Sequence, residues 1–134
     1  MDAALRAAVN LRAGHGCEYC QRRQTASPLI PLQIEHIIPR KHGGGDSLDN
    51  LALACAECNL HKGSNLTGID PETNAITPLF NPRQDRWDDH FVWDGLRLAG
   101  QTNIGRTTIR VLELNSAARI RVRLSTREGL PGGD

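Results

Sequence analysis

Four cysteines form two Cys-x-x-Cys pairs, Cys17/Cys20 and Cys55/Cys58, and they are all the cysteines of the chain. Zn²⁺ takes four thiolates in two such pairs when the site is structural, because four closed tetrahedral positions leave none for a substrate or a water molecule. The spacing therefore predicts a structural zinc site that staples the chain.

The two pairs bracket side chains suited to phosphodiester chemistry. Glu35 and His36 are adjacent, and Asn50 follows a run of three glycines, residues 43–45. A neutral imidazole can remove a proton from a water molecule that attacks a phosphate, so His36 is the candidate general base. The predicted chemistry lies between the cysteine pairs, and the cysteines provide the scaffold.

The elements that must position these residues can be predicted from the pattern around them. Residues 32–38 are β-branched and apolar between two prolines, which predicts a strand, and residues 51–54 predict a second one. Residues 56–62 favour a helix that ends at Gly63. Ahead of the first cysteine, residues 2–13 have the apolar spacing of a short packing helix. The predicted order around the site is strand, loop, strand, helix.

The stretch EHIIPRKHGGGDSLDNLALACAECNLHKG, within residues 17–63, resembles the HNH endonuclease family. Thirteen residues separate His36 from Asn50, and eight separate Asn50 from Asn59, as that family requires. The resemblance implies a ββα-metal fold. This chain departs from the family pattern in having Glu35 where many members have Asp, and Asn59 where the family name expects His.

The resemblance also implies roles for these residues. Glu35 and Asn59 would be oxygen ligands of one catalytic Mg²⁺ or Mn²⁺ ion. Asn50 would tie the loop together and orient His36 by accepting a hydrogen bond from the far nitrogen of its ring. Strict strand alternation would send Glu35 and His36 to opposite faces, so the strand has to end or twist there if both are to reach one ion. Lys62 lies one helical turn from Asn59 and is a candidate phosphate contact.

The basic residues are unevenly distributed, although the formal net charge is only +1. Residues 95–134 carry seven basic and three acidic side chains, a balance of +4, and fourteen of the sixteen basic residues are Arg. Arginine suits bidentate phosphate contacts, although the charges could equally lie on a solvated face. Candidate DNA contacts are Arg40, Lys41, Arg119 and Arg123. Residues 119–124 fit either an edge strand or a helix, and we favour the helix.

With 134 residues, 39% of them hydrophobic and 4% aromatic, the chain fits one domain with a small core that a metal would help to hold. We expect one domain over residues 1–134, with a nuclease core at 17–63 and an extension at 64–134. The sequence of the extension predicts hairpins at 68–76 and at 91–98, the latter with an Asp94-Gly95 turn. We expect its aromatic side chains to pack over the core.

The expected fold class is α+β: a small ββα core stapled by zinc, an N-terminal helix and a C-terminal α/β extension. We expect a metal-dependent endonuclease that nicks or cuts duplex DNA. We expect it in the cytoplasm with no membrane association, because the chain lacks a long apolar run and a disulfide framework. The alternative is a zinc-stabilised nucleic-acid-binding module without nuclease activity. The oligomeric state is not indicated by the sequence.

Overall fold

The computed structural model describes residues 1–26 and 28–128 of the chain. The helices in these residues are α1 (Ala3–Arg12), α2 (Ala56–Lys62), α3 (Trp87–His90), α4 (Asn103–Val111) and α5 (Ala117–Glu128). The strands are β1 (Gln33–His36), β2 (Leu51–Ala54), β3 (Thr67–Ile69), β4 (Ile76–Pro78), β5 (Phe91–Asp94) and β6 (Arg97–Gly100). They pair as three antiparallel two-stranded sheets, β1–β2, β3–β4 and β5–β6. The predicted α+β class is confirmed.

The ββα unit consists of β1, β2 and α2. The register pairs Gln33 with Ala54 and His36 with Leu51, so the long loop between the strands begins directly after His36. At the start of α2 the Sγ atom of Cys55 caps the helix by accepting from the N–H of Cys58. Gly63 ends the helix at a positive φ of 52°, a conformation that glycine adopts without steric cost. The predicted order of strand, loop, strand and helix is confirmed.

Helix α1 packs against the ββα unit. The carboxylate of Asp2 caps the helix by accepting from the N–H of Leu5 at 2.7 Å. Val9 is fully buried in a small apolar cluster with Leu51 and Leu53 of β2. The predicted N-terminal packing helix is therefore present, and it covers one face of the strand that leads into the second cysteine pair.

The extension contains the two predicted hairpins and also helices α3 and α4, which the sequence analysis did not predict. The expected Asp94-Gly95 turn is displaced by one residue, since Asp94 pairs with Arg97 and the turn is made by Gly95 and Leu96. Gly95 supplies the positive φ of 62° that such a tight turn needs. Residues 117–128 are helical, which confirms the helix over the strand alternative.

One apolar cluster joins the cysteine segment to the extension. It contains the four cysteines and Tyr19 together with Phe80, Phe91 and leucines of the extension. Trp87 donates its ring N–H to the carbonyl of Tyr19 at 2.8 Å. The aromatic side chains of Trp87 and Phe91 pack as expected, whereas Trp93 is 41% exposed. The single-domain organisation stays a prediction, and this shared core supports it.

In residues 1–26 and 28–128, helices with the length and apolar character needed to cross a membrane are absent.

Candidate active site and metal centre

The four cysteine side chains meet in a buried cluster. Their sulfur atoms all lie within 4.8 Å of one another. The sulfurs of Cys20 and Cys55 are 3.7 Å apart. Cys17 accepts from the backbone N–H of Cys20, and Cys55 accepts from that of Cys58, both at 3.4 Å. Each Cys-x-x-Cys pair therefore forms a turn that points two sulfurs at the same space.

The cluster has the dimensions of a zinc site. A tetrahedral ion with Zn–S distances of about 2.3 Å places neighbouring sulfurs about 3.8 Å apart, close to the observed separation. Burial raises the pKa of the Cys17 thiol well above its ordinary value, so a set of four thiolates here needs a cation to offset the loss of solvation. The residues fit Zn²⁺, and all four positions are taken by protein, which makes the site structural.

Arg119 lies against this cluster and not on a DNA-binding surface. Its guanidinium donates to the sulfur of Cys58 at 3.3 Å and to the carbonyl of Leu112 at 2.9 Å, and the residue is only 7% exposed. This buried position does not support its prediction as a phosphate contact, which stays a prediction. Arg119 would neutralise part of the negative charge that four thiolates carry. The distribution of basic residues along the sequence could not indicate this role.

Arg123 is likewise committed to the fold. Its guanidinium donates to the carbonyls of Leu96 at 3.0 Å and Leu114 at 2.5 Å. It also stacks over the ring of Trp93, with 5.2 Å between the guanidinium carbon and the ring centroid. These contacts hold α5 to the β5–β6 turn and do not support the phosphate contact predicted for Arg123, which stays a prediction.

His36 ends β1 at the edge of the ββα unit, with its side chain 21% exposed. Its Nε2 atom lies 2.7 Å from a carboxylate oxygen of Asp46, which stands ten residues later in the glycine-rich loop. Asp46 also accepts from the guanidinium of Arg40 at 2.8 and 3.0 Å. The hydrogen bond with His36, followed by the charge of Arg40, lowers the pKa of the Asp46 carboxyl. The sequence analysis missed Asp46, although an acid directly after three glycines was the available signal.

Asn50 ties the loop together. Its side chain accepts from the N–H of Ile38 at 2.9 Å and donates to the carbonyls of Ile38 and Gly45 at 3.0 and 2.9 Å. Its backbone carbonyl accepts from the N–H of Ile37. This agrees with the loop-tying part of its expected role. In the described residues the ring of His36 is hydrogen-bonded to Asp46, and the expected hydrogen bond between that ring and Asn50 stays a prediction.

Glu35 points to the opposite side of β1 from His36 and into the protein. The side chains of Glu35 and Lys62 are each 3% exposed, and the carboxylate accepts from Lys62 at 2.8 Å and from the hydroxyl of Tyr19 at 2.5 Å. Lys62 also donates to the carbonyl of Ile37 at 2.9 Å. Burial raises the pKa of the Glu35 carboxyl, and Lys62 opposes that rise. Strand alternation holds at this point, and the contact between Glu35 and Lys62 does not support the expectations of Glu35 as a metal ligand and of Lys62 as a phosphate contact, which stay predictions.

Asn59 and Glu35 contact different partners. The side-chain amide of Asn59 donates to Gln33 at 2.6 Å. The carboxylate of Glu35 accepts from Tyr19 and Lys62. Their expected role as ligands of one catalytic ion stays a prediction. Arg40 and Lys41, by contrast, lie exposed in the turn after β1, and Arg40 contacts the same carboxylate as His36.

Comparison with known proteins agrees with this geometry. Residues 17–65 match the family model described as HNH endonuclease. This segment is similar to HNH endonuclease domains. The chain is also 27% identical over 111 residues to the Septu protein PtuB of Bacillus thuringiensis. That alignment covers 78% of the chain but only 38% of the relative. No solved structure matches the chain. The HNH segment contains both cysteine pairs, His36, Asn50 and Asn59.

Proposed function

We propose that the protein is an endonuclease that hydrolyses phosphodiester bonds of DNA, with His36 as general base and with 5′-phosphate and 3′-hydroxyl products. The observation that carries the proposal is the position of His36. It ends β1 of the HNH segment, is partly exposed, and is held by an ionised carboxylate that also contacts the exposed Arg40. A histidine in such a place can reach a water molecule and a phosphate at the same time.

The reaction needs a proton acceptor near the attacking water and positive charge near the phosphate. His36 takes the proton as the water oxygen attacks phosphorus and the bond to the leaving 3′ oxygen breaks. Arg40 and Lys41 follow β1 by four and five residues and are exposed, so they are the proposed contacts to the DNA backbone. Duplex DNA is the proposed substrate, and the proposed location is the cytoplasm, where thiols stay reduced.

A requirement for Mg²⁺ or Mn²⁺ is part of the proposal, and its support is the similarity of residues 17–65 to HNH endonuclease domains. Such an ion would stabilise the charge that develops on the phosphate and the leaving oxygen. No step is assigned to Glu35, because its carboxylate is buried against Lys62 and Tyr19. The zinc held by the cysteines takes no part in the chemistry.

Cleavage of supercoiled plasmid, with and without Mg²⁺ or Mn²⁺, tests the proposal. His36→Ala is expected to lower the rate about 10²–10⁴-fold, equivalent to roughly 3–5 kcal/mol in the barrier, with the fold intact. The matched control is His42→Gln, which changes an exposed histidine in the same loop whose ring lies 3.1 Å from the carbonyl of Ser64. Nicking at the wild-type rate by the His36 variant would remove His36 from the mechanism.

A second candidate is a zinc-stabilised nucleic-acid-binding module without nuclease activity. The specific observation that favours it is the commitment of Glu35 to Lys62, which takes an acid away from metal binding. Gel-shift titration of a duplex, run beside the plasmid assay, separates the two candidates. DNA binding without cleavage in the presence of either Mg²⁺ or Mn²⁺ would favour the binding module, whereas metal-dependent nicking would exclude it.

A further inference from the structure

The contact between His36 and Asp46 goes beyond the assignment of a general base, because it specifies which atom of the ring is basic. We propose that Asp46 is a positioning residue that holds neutral His36 with its proton on Nε2, which leaves the lone pair on Nδ1 for the attacking water. The inference deepens the proposed endonuclease function and rests on it.

The chemistry of the pair determines the tautomer. An ionised carboxylate has only acceptor oxygens, so the partner atom at 2.7 Å has to be a donor. The ring nitrogen facing Asp46 is Nε2, and a neutral imidazole carries only one N–H. Nδ1 is therefore the atom free to accept a proton. Once it has done so, the carboxylate of Asp46 lies beside the positive ring and stabilises it.

Asp46 is itself held in place, which a positioning residue requires. Arg40 contacts both of its oxygens, at 2.8 and 3.0 Å. The neighbouring loop is fixed by Asn50, which bonds to the carbonyl of Gly45 at 2.9 Å. Gly44 comes so close to the chain that a Cβ there would lie 1.6 Å from the carbonyl oxygen of Ile38, so only glycine fits. The loop therefore returns Asp46 to the ring of His36 in one defined position.

Two measurements on purified protein test the proposal. The first is the ¹⁵N spectrum of the His36 ring at about pH 8.5, where histidine side chains are as a rule neutral. The wild type is expected to show the Nε2–H form alone, and Asp46→Ala a mixture of the two tautomers. Asp49→Asn is the control, since Asp49 lies in the same loop and accepts from Ser47. A ring signal in Asp46→Ala identical to that of the wild type would overturn the proposal.

The second measurement is single-turnover plasmid nicking in a double-mutant cycle. Measured at saturating protein, so that any change in DNA affinity through Arg40 does not enter, Asp46→Ala is expected to slow cleavage about 10–100-fold, the size of effect typical when the hydrogen-bond partner of a metal-bound histidine is lost. In the His36→Ala background the same change is expected to have no further effect, because Asp46 acts through His36. Asp46→Asn, which keeps an acceptor oxygen, is expected to recover part of the rate.

The outcomes separate this inference from the proposed function. If Asp46→Ala lowered the rate in the His36→Ala background as much as in the wild type, the role of Asp46 as a positioning residue would be overturned, because Asp46 would then act directly on substrate or metal. An inactive wild type would end the endonuclease proposal, while the ring spectra would still decide whether Asp46 sets the tautomer. Circular dichroism of each variant checks the fold. The side chain of Asp46 is 46% exposed, so its replacement is not expected to disturb the fold.

Discussion

At the scale of single residues, the buried pair of Glu35 and Lys62 is the contact whose loss should affect stability most. Each side chain is 3% exposed, and the Nζ atom of Lys62 lies 2.8 Å from a carboxylate oxygen of Glu35. Removing one partner leaves a buried charge without compensation, which typically costs about 3–5 kcal/mol. Glu35→Ala is therefore expected to lower the urea midpoint strongly. Glu72→Gln, which changes a 69% exposed partner of Arg106, is the control and should have an effect below about 1 kcal/mol.

The same variant distinguishes a structural role of Glu35 from that of a metal ligand. A stable Glu35→Ala protein that requires more Mg²⁺ for half-maximal nicking would contradict the structural role. The family pattern favours the ligand, whereas strand alternation and the packing of Lys62 favour the interior position. The structure follows the alternation, and urea titration beside metal titration decides between them in solution.

At the scale of elements, the zinc site should hold the two Cys-x-x-Cys turns and α2 together. We expect one tightly bound Zn²⁺ per chain by native mass spectrometry. Cys17→Ser and Cys58→Ser are expected to lose the metal and to unfold the ββα unit, because structural zinc contributes about 10–16 kcal/mol of apparent binding energy in small domains. A native circular-dichroism spectrum that persists after removal of all zinc would contradict this prediction.

Helix α5 should respond to the metal through Arg119, whose guanidinium contacts Cys58 and the carbonyl of Leu112. Arg119→Met is expected to weaken zinc binding about 10–100-fold, because the partners of metal ligands tune affinity by that amount. The measurement is transfer of zinc to a coloured chelator. Arg121→Met, on the exposed side of α5, is the control, and equal transfer rates in the two variants would assign Arg119 to helix packing alone.

The sequence predicted the elements that local signals determine. The spacing of the cysteines, Gly63 and the apolar runs of β1 and β2 were sufficient for the ββα unit. The partners of side chains were not predictable in the same way, because they depend on tertiary contacts. Arg119 appeared as one of several exposed arginines until the packing of α5 placed it against sulfur. Asp46 belongs to a loop with no periodicity, so only the fold reveals that it returns to His36.

At the scale of the whole molecule, Asp70 links the β3–β4 hairpin to α4. It is fully buried and accepts from Arg106 at 3.1 and 2.9 Å. The hydrogen bond from Arg106 lowers the pKa of the Asp70 carboxyl well below its ordinary range, although burial opposes this. As pH falls below about 4, the unfolded chain takes up this proton before the folded chain does, so stability is lost on acidification. Urea unfolding of Asp70→Asn between pH 7 and 3 should show a weaker pH dependence than the wild type. An identical pH dependence would contradict the assignment.

The hydrogen bond from the Trp87 ring to the carbonyl of Tyr19 has a spectroscopic consequence. Tyr19 stands between Cys17 and Cys20, so the indole lies on the outer side of the first metal-binding turn. Tryptophan emission shifts with the polarity and hydrogen bonding of the ring, and loosening of that turn would expose the indole to water. We therefore expect the emission of Trp87 to change when zinc is removed, which would report metal occupancy from the extension without any label.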